Sequence, residues 1–341
     1  MDCTASMHRS MPSSTCRRIE NAYTSDGAIL PIYELISCRD GPPILFAHGC
    51  GFSAGSCFPF LSHLANNARV FAFDARGHGG AYWPAGPAAA VFSPSRFADD
   101  LLTVAKIVAQ AAGTRPHFVG HSLGAGTALW ALTRAHSNPF ATVTLFEPNV
   151  FPGNGSPERA EAEHRHRRLI HLARSRRAEW TSPVDLAQKL IRAFAGFSES
   201  AALIHARATL RQLDKYRWRL CCPPPIEAAI FENHQDDRLW ELLPTITRHI
   251  LLISADPDHP DREWVTTCMQ SVASMLSSCK MRVVPDTTHL LVMTSPRETA
   301  EIVLQQLTPF NLAGRAPQVT ALNSSGAKHS PECAVHYNTA V

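Results

Sequence analysis

Long hydrophobic runs are missing from this 341-residue sequence. No stretch reaches the roughly 18 apolar residues that a membrane span needs, and residues 1–18 have no apolar core of the signal-peptide kind. The last four residues read N-T-A-V, which is not the S-K-L type of peroxisomal address. We therefore expect no integral membrane segment and a cytoplasmic location.

Paired cysteines and phosphate-binding loops are missing as well. The ten cysteines form no C-x-x-C pair, which predicts reduced thiols in a chain without a signal peptide. The glycine-rich segment 74–79 is accompanied by neither a G-x-x-x-x-G-K-[ST] nor a G-x-G-x-x-G loop. A net charge of +3 gives no general attraction for polyanions. We expect no cofactor, no metal site and no nucleic-acid partner.

Basic residues are densest between His164 and Arg177, where arginine and histidine occur without an acidic residue. The interleaved arginines would repel a metal cation, and the histidines lack a set of carboxylate or thiol ligands. Glutamates such as Glu158 precede this segment and arginines end it, an arrangement that complements a helix dipole. We interpret it as a solvated helix face, with steering of an anionic substrate or a membrane surface as the alternative.

The hydrophobic pattern divides the chain into a core and an insertion. Over residues 17–150 and 246–310 we predict eight short strands. The first two are joined by the turn 25–27, and from the third on the strands alternate with helical periodicity, an order that requires parallel pairing. Residues 151–245 show helical periodicity and no convincing strand, with helix starts marked by Ser156 and Ser182 before prolines. We predict an α/β core and a helical lid, preceded by a disordered segment 1–16 and followed by a flexible tail 311–341.

The pentapeptide 120–124 reads G-H-S-L-G, the G-x-S-x-G pattern of a nucleophile elbow. It follows the apolar run 117–119 and opens a segment with alanine and leucine at helical spacing. Such a turn strains the backbone at its central serine, and glycines are needed on both sides where a side chain would collide with neighbouring elements. We predict that Ser122 is a nucleophile at the carboxyl end of a strand; the alternative is an unreactive serine in a tight turn.

A serine hydroxyl needs a general base, and the base needs a carboxylate that holds its tautomer. His289 lies between the last strand and the final helix, where this architecture delivers its base. For the acid, the loop after the seventh strand offers Asp258, which we prefer, and Asp256, whose backbone is restricted by the following proline. Glu147, at the end of the sixth strand, is a third candidate that we expect rather to contact the base of the lid or to end the strand.

The tetrahedral intermediate needs backbone N–H donors aimed at its oxyanion. We assign one donor to the amide of Leu123 and the other to the amide of Cys50, in the glycine-rich turn 48–52, with Gly51 as the alternative. The Cys50 thiol has no activating base marked nearby and is not expected to react. In the segment 74–79, we expect aspartate and arginine side chains to brace the loop by hydrogen bonds.

In this order, the motifs resemble the α/β-hydrolase superfamily over about residues 17–307. The matching positions are His48-Gly49, Asp74-x-Arg76-Gly77-x-Gly79, the elbow, the Asp256/Asp258 loop and His289. The resemblance implies the α/β-hydrolase fold, a mostly parallel eight-stranded sheet flanked by helices with a helical lid inserted after the sixth strand. It also implies a hydrolase of small molecules that uses no cofactor.

The segments 145–152 and 222–232 are similar to a narrower branch of bacterial and fungal hydrolases, which includes peroxisomal lipases and hydrolases of host-selective-toxin gene clusters. Two positions depart from the family pattern: Ala125 replaces a glycine, and Thr288 replaces a small residue before the predicted base. The leading hypothesis is cleavage of an ester or thioester through an acyl-enzyme. The alternatives are tailoring of a secondary metabolite, which includes carbon–carbon bond cleavage, and non-catalytic binding of a small molecule. The oligomeric state stays open.

Overall fold

A computed structural model describes residues 16–36, 40–135, 137–194 and 196–313, with side chains to residue 307. The predictions for residues 1–15 and 314–341 lie outside these ranges. The sheet, the insertion and every candidate site residue belong to one compact unit that ends at Leu307. The first strand begins at Cys16 and the last helix ends at Ala313, so both extend slightly beyond the predicted core.

The main sheet has eight strands in the described chain. They are β1 (Cys16–Tyr23), β2 (Ile29–Leu35), β3 (Pro43–Ala47), β4 (Arg69–Phe73), β5 (His117–His121), β6 (Val143–Phe146), β10 (Ile250–Ser254) and β11 (Cys279–Val283). Their spatial order is β1-β2-β4-β3-β5-β6-β10-β11. Only the β1–β2 and β2–β4 pairs are antiparallel. The predicted eight-stranded, mostly parallel sheet is confirmed.

Helices cover both faces of this sheet. They are α1 (Phe58–Ala65), α2 (Ala88–Val91), α3 (Pro94–Ala112), α4 (Leu123–Arg134), α10 (Trp264–Met275), α11 (Leu291–Thr294) and α12 (Pro296–Ala313), with a short 3-10 helix at Ala54–Cys57. None of the helices described is both long and apolar enough to cross a membrane.

The central strands are apolar throughout because both of their faces are buried. In β3 every residue is buried, and its side chains alternate between two clusters. Leu45 packs with the residues of α3 and α4 on one face, whereas Ile44 and Phe46 pack with those of α1 and α12 on the other. This period of two sets the register of the sheet. Because β4, β3, β5, β6, β10 and β11 pair in parallel, their carboxyl ends lie at one edge.

The insertion lies between β6 and β10 and contains helices and three further strands. Its elements are α5 (Arg159–Ser175), β7 (Glu179–Trp180), α6 (Pro183–Ala193), α7 (Glu199–Thr209), β8 (Leu210–Asp214), β9 (Arg217–Leu220), α8 (Pro224–Asn233) and α9 (Arg238–Leu242), with a 3-10 turn at Leu243–Thr245. β7, β9 and β8 form a small antiparallel sheet. The prediction that this region has no strand is therefore wrong, because strands of two to five residues are too short to show an apolar period.

The two predicted helix starts of the insertion have different outcomes. Ser182 caps α6, since its side chain accepts a hydrogen bond from the Asp185 N–H and a proline follows it. Ser156 does not cap α5, which begins at Arg159 after Glu158. The Ser156 hydroxyl is buried with no hydrogen-bond partner in the described chain. The proline after Ser156 thus precedes the first helical turn instead of opening it.

Candidate active site

Ser122 occupies a sharp turn between β5 and α4, with φ 53° and ψ −112°. Positive φ is uncommon for a residue with a side chain and marks local strain. The flanking glycines permit this turn: a Cβ at Gly120 would lie 2.8 Å from the backbone of Ala125, and a Cβ at Gly124 would lie 2.4 Å from the carbonyl oxygen of Ala47. The predicted strand, turn and helix are all present, and the serine projects from the carboxyl end of a central strand.

The structure brings His289 to Ser122. The loop between β11 and α11 carries His289, whose Nε2 lies 2.9 Å from the Ser122 Oγ. In this arrangement the hydroxyl donates to Nε2, and the ring proton is on Nδ1, on the opposite side of the imidazole. The His289 side chain is only 16% exposed, so little water competes for either nitrogen.

Glu147 is the carboxylate that faces His289. Its Oε2 lies 3.3 Å from the His289 Nδ1, and its side chain is fully buried. The Thr266 hydroxyl donates to the same oxygen at 2.6 Å, and the Ala255 N–H donates to Oε1 at 2.8 Å. These donors compensate an ionised carboxylate for the water it has lost.

The sequence preference for Asp258 is corrected by this geometry. Asp258 is exposed in the turn after β10, and its N–H donates to the neighbouring Asp256 carboxylate at 2.9 Å. Asp256 also accepts the N–H of Asp286, and both backbone hydrogen bonds lower its pKa. Neither aspartate has a hydrogen bond to His289 in the described chain, because this loop turns outward while Glu147, at φ 47°, turns from the end of β6 toward the base.

The turn 48–52 lies beside the elbow and supplies the remaining candidate donors. The His48 carbonyl accepts the Gly124 N–H at 3.1 Å, which joins the turn to the start of α4. The Gly51 N–H donates to His78 Nε2 at 2.9 Å, so the alternative donor is already engaged. The Cys50 and Leu123 amides are left as the candidate pair. Burial raises the pKa of the Cys50 thiol well above its usual range, which keeps the sulfur protonated.

Two neutral histidines, His48 and His78, brace this turn, a role that was not predicted from the sequence for either of them. His48 donates from Nδ1 to the Gly49 carbonyl at 2.8 Å and accepts the Ala75 N–H at 3.1 Å. His78 donates from Nδ1 to the Arg76 carbonyl at 2.9 Å. Burial lowers the pKa of His48 to about 4 and that of His78 to about 3. Both rings therefore stay neutral and hold fixed tautomers near neutral pH.

Asp74 and Arg76 brace the loop 74–79 by hydrogen bonds, as expected, but they contact different partners. The Asp74 carboxylate accepts the N–H groups of Ala54 and Gly80 at 2.8 and 2.9 Å. Arg76 is fully buried and forms two hydrogen bonds with Asp100, at 2.6 and 2.7 Å. Neither side chain has a hydrogen bond to Ser122 in the described chain, so both stabilise the loop.

An ion pair within the insertion lies against the same turn. Arg176 Nη1 lies 2.6 and 2.7 Å from the two carboxylate oxygens of Glu227, and a Cβ at Gly51 would lie 2.6 Å from Glu227 Oε1. The interpretation of the basic segment as a solvated face therefore holds for residues such as Arg167, which is 67% exposed, but not for Arg176. No local pattern in the sequence signals this contact, since it joins α8 to a turn that precedes it by more than 170 residues.

No metal centre accompanies the site in the part of the chain that the structure describes. There, no group of three or more histidine, cysteine, aspartate or glutamate side chains is arranged to hold an ion. The arrangement of serine, imidazole and buried carboxylate matches the requirements of nucleophilic catalysis, in which a base activates a hydroxyl and a third group orients the base.

A family model described as the alpha/beta hydrolase family matches residues 44–302 of the chain. No curated protein sequence matches this chain. Among solved structures, E-2-(acetamidomethylene)succinate hydrolase superposes with a TM-score of 0.69 at 18% identity, over 86% of this chain and 100% of the other.

Two further solved structures show the same likeness. The peroxisomal alpha-beta hydrolase Lpx1 from Saccharomyces cerevisiae has a TM-score of 0.64 at 16% identity, over 88% of each chain. An esterase from Thermogutta terrifontis has a TM-score of 0.61 at 20% identity, over 86% of this chain and 98% of the other. At these identities the likeness is one of fold.

Proposed function

Because the chain belongs to the alpha/beta hydrolase family, we propose that it is a serine hydrolase that cleaves a carboxylic ester or thioester through an acyl-enzyme. The observation that carries the proposal is the line of contacts from Ser122 to His289 and from His289 to Glu147. The 2.9 Å separation between hydroxyl and imidazole is within the reach that proton transfer needs.

Acylation follows from this geometry. His289 Nε2 accepts the Ser122 proton while Oγ attacks the carbonyl carbon of the substrate, and the amides of Cys50 and Leu123 donate to the oxyanion that forms. His289 then gives its proton to the departing alcohol or thiol. Water repeats the sequence on the acyl-enzyme, with His289 again as base, and releases the carboxylic acid.

Glu147 has the role of the acid in this proposal. A carboxylate that accepts from Nδ1 holds the ring in the tautomer that leaves Nε2 free to take a proton, and it stabilises the imidazolium that forms. Glu147 meets this need because it is buried, already hydrogen-bonded by Thr266 and Ala255, and next to the ring.

Labelling with a fluorophosphonate probe tests the proposal. We expect the native protein to be labelled and Ser122→Ala to lose labelling completely, because the probe needs an activated serine. Ser274→Ala is the matched control, since Ser274 is an exposed serine of α10 whose hydroxyl donates to the helix backbone. Absence of labelling in the native protein, or equal labelling of Ser122→Ala, would contradict the proposal.

The choice of substrate is open between esters and thioesters. A panel of p-nitrophenyl esters of increasing acyl length, run beside an acyl-thioester, gives the preference as a ratio of kcat/KM values. The narrower resemblance of residues 145–152 to hydrolases of toxin gene clusters supports a second candidate, tailoring of a secondary metabolite by ester, lactone or carbon–carbon cleavage. If Ser122 is labelled but the protein hydrolyses none of the simple esters, that candidate is favoured.

A further inference from the structure

His121 directly precedes Ser122 and has a contact that the proposed mechanism does not use. Its side chain is fully buried, and its Nε2 lies 2.7 Å from the main-chain carbonyl oxygen of His289. A carbonyl oxygen only accepts, so the histidine donates from Nε2. The last residue of β5, His121, therefore bonds to the backbone of the base, and the next residue is the nucleophile, Ser122.

This hydrogen bond places a proton on Nε2 of His121. With the proton on Nε2, the opposite nitrogen, Nδ1, holds a lone pair and has no hydrogen-bond partner in the described chain. Burial, together with the nearby His289, lowers the pKa of His121 to about 3. The ring is neutral near neutral pH, and it has a single tautomer that keeps the donor directed at the His289 carbonyl.

The His121 ring is also held on its other sides. Phe52 stacks on it with ring centroids 5.8 Å apart and planes within 9°, and the His289 ring lies against it at 5.0 Å. His205 of α7 packs edge-on against Phe52 at 5.3 Å. A Cβ at Gly49 would lie only 3.1 Å from His121 Nδ1, so the turn 48–52 closes the remaining side. Little rotation of the ring is left.

The base needs this second anchor because its contact with the carboxylate is long. Charge-assisted N–H···O hydrogen bonds typically measure about 2.7–2.9 Å, whereas His289 Nδ1 and Glu147 Oε2 are 3.3 Å apart. The hydrogen bond from His121 to the His289 carbonyl is shorter, at 2.7 Å, and acts on the main chain. Glu147 thus sets the tautomer of His289, while the His121 contact fixes where its backbone lies.

We propose that His121 is a positioning residue: its Nε2–H donor anchors the main chain of His289 and keeps the His289 imidazole within reach of the Ser122 hydroxyl. The inference rests on the proposed function, since it assigns a task to His121 in the same reaction. A displacement of about 1 Å in a reacting group costs on the order of 100-fold in rate. Loss of the anchor should therefore lower kcat and leave KM nearly unchanged.

Two amide variants separate the donor from the rest of the ring. The amide nitrogen of glutamine reaches about as far as the imidazole Nε2, whereas that of asparagine reaches only as far as Nδ1. We expect His121→Asn to lower kcat by about 10- to 100-fold with KM within about 2-fold, and His121→Gln to recover most of the loss. A third variant, His121→Phe, keeps a flat ring against Phe52 without the donor and should behave like His121→Asn.

Fluorophosphonate labelling rates and the His289 ring resonances in NMR complete the experiment. We expect both to change in His121→Asn and to return toward the native values in His121→Gln, while the melting temperatures of the two variants stay close. The inference would be overturned if His121→Asn kept the labelling rate and kcat of the native protein. It would also be overturned if His121→Asn and His121→Gln lost kcat equally. A native protein without labelling would defeat the proposed function instead, and the His289 resonances would still test the anchor.

Discussion

At the scale of single residues, the site depends on two backbone conformations that side chains rarely adopt. Ser122 and Glu147 have φ values of 53° and 47°, and each follows the last residue of a parallel strand. These conformations turn both side chains toward His289, which approaches from a loop more than 140 residues further along the chain. Local strain at two strand ends thus assembles three groups that no segment of the sequence holds together.

Removal of the Glu147 charge tests its proposed role as the acid. Glu147→Gln keeps the shape of the side chain and removes its charge, so His289 loses the partner that sets its tautomer. We expect kcat to fall by about 10³- to 10⁴-fold. Asp258→Asn is the control and should change kcat by less than about 2-fold, because Asp258 is exposed and has no hydrogen bond to the base. Steady-state kinetics of the purified variants measures both effects, and the reverse pattern would restore Asp258 as the acid.

Part of this site could be predicted from local pattern. The elbow is readable because its serine and both glycines fall within five consecutive residues, and His289 because it lies between a strand and a helix. The proposed acid could not be predicted in this way, because Glu147 and Asp258 both follow strands that lie side by side in the sheet. What separates them is the direction of a side chain and the burial of a loop, and neither leaves a periodic signal in the sequence.

At the scale of elements, the insertion combines helices with a small exposed sheet. Its helices are visible in the sequence because apolar residues recur over two or more turns. Its strands are not visible, since β7 has two residues and β9 has four. Helix caps can be predicted from the sequence only in part. Ser182 and Ser156 have the same Ser-Pro pattern, but of these two serines only Ser182 accepts a backbone N–H in the described chain. A cap depends on where the helical turn starts, and packing decides that.

The two serines give a matched stability prediction. Ser182→Ala removes a side chain that satisfies a free N–H at the start of α6, so we expect the free energy of unfolding to fall by about 1 kcal/mol. Ser156→Ala removes a buried hydroxyl without a hydrogen-bond partner in the described chain, so we expect the free energy of unfolding to stay the same or to rise. Urea unfolding followed by circular dichroism measures both. Equal losses in the two variants would contradict the cap assignment.

At the scale of the whole molecule, histidines are the most numerous buried titratable groups among the residues that the structure describes. Burial lowers the pKa of six of them to between about 3 and about 4. They are His48, His78, His117, His121, His205 and His234. In the opposite direction, burial raises the pKa of Asp74 to about 7 and that of Asp100 to about 6.

These shifts predict a loss of stability in mild acid. A histidine with a lowered pKa stays neutral in the folded state while the unfolded chain takes up a proton below about pH 6.5. Each such histidine therefore removes up to about 1.4 kcal/mol of stability per unit of falling pH. Asp74 and Asp100 bind protons in the folded state first and offset part of this loss. We expect acid unfolding with a midpoint between about pH 4 and 6, accompanied by net proton uptake.

Unfolding free energies from urea titrations between pH 8 and pH 4 test this balance. A stability that stays level or rises as the pH falls through this range would show that the buried histidines are already charged in the folded state. Potentiometric titration across the unfolding transition gives the number of protons taken up and provides an independent check of the sign.

In the proposed reaction Ser122 becomes covalently acylated, and mass spectrometry of the quenched enzyme detects this adduct. The protein is mixed with an excess of a p-nitrophenyl ester, quenched in acid within the first turnovers, digested and sequenced by tandem mass spectrometry. We predict that the acyl group is found on Ser122, in a yield that Glu147→Gln lowers and Asp258→Asn leaves unchanged. Hydrolysis by the native protein with no adduct on Ser122, or with the adduct on another residue, would contradict the account.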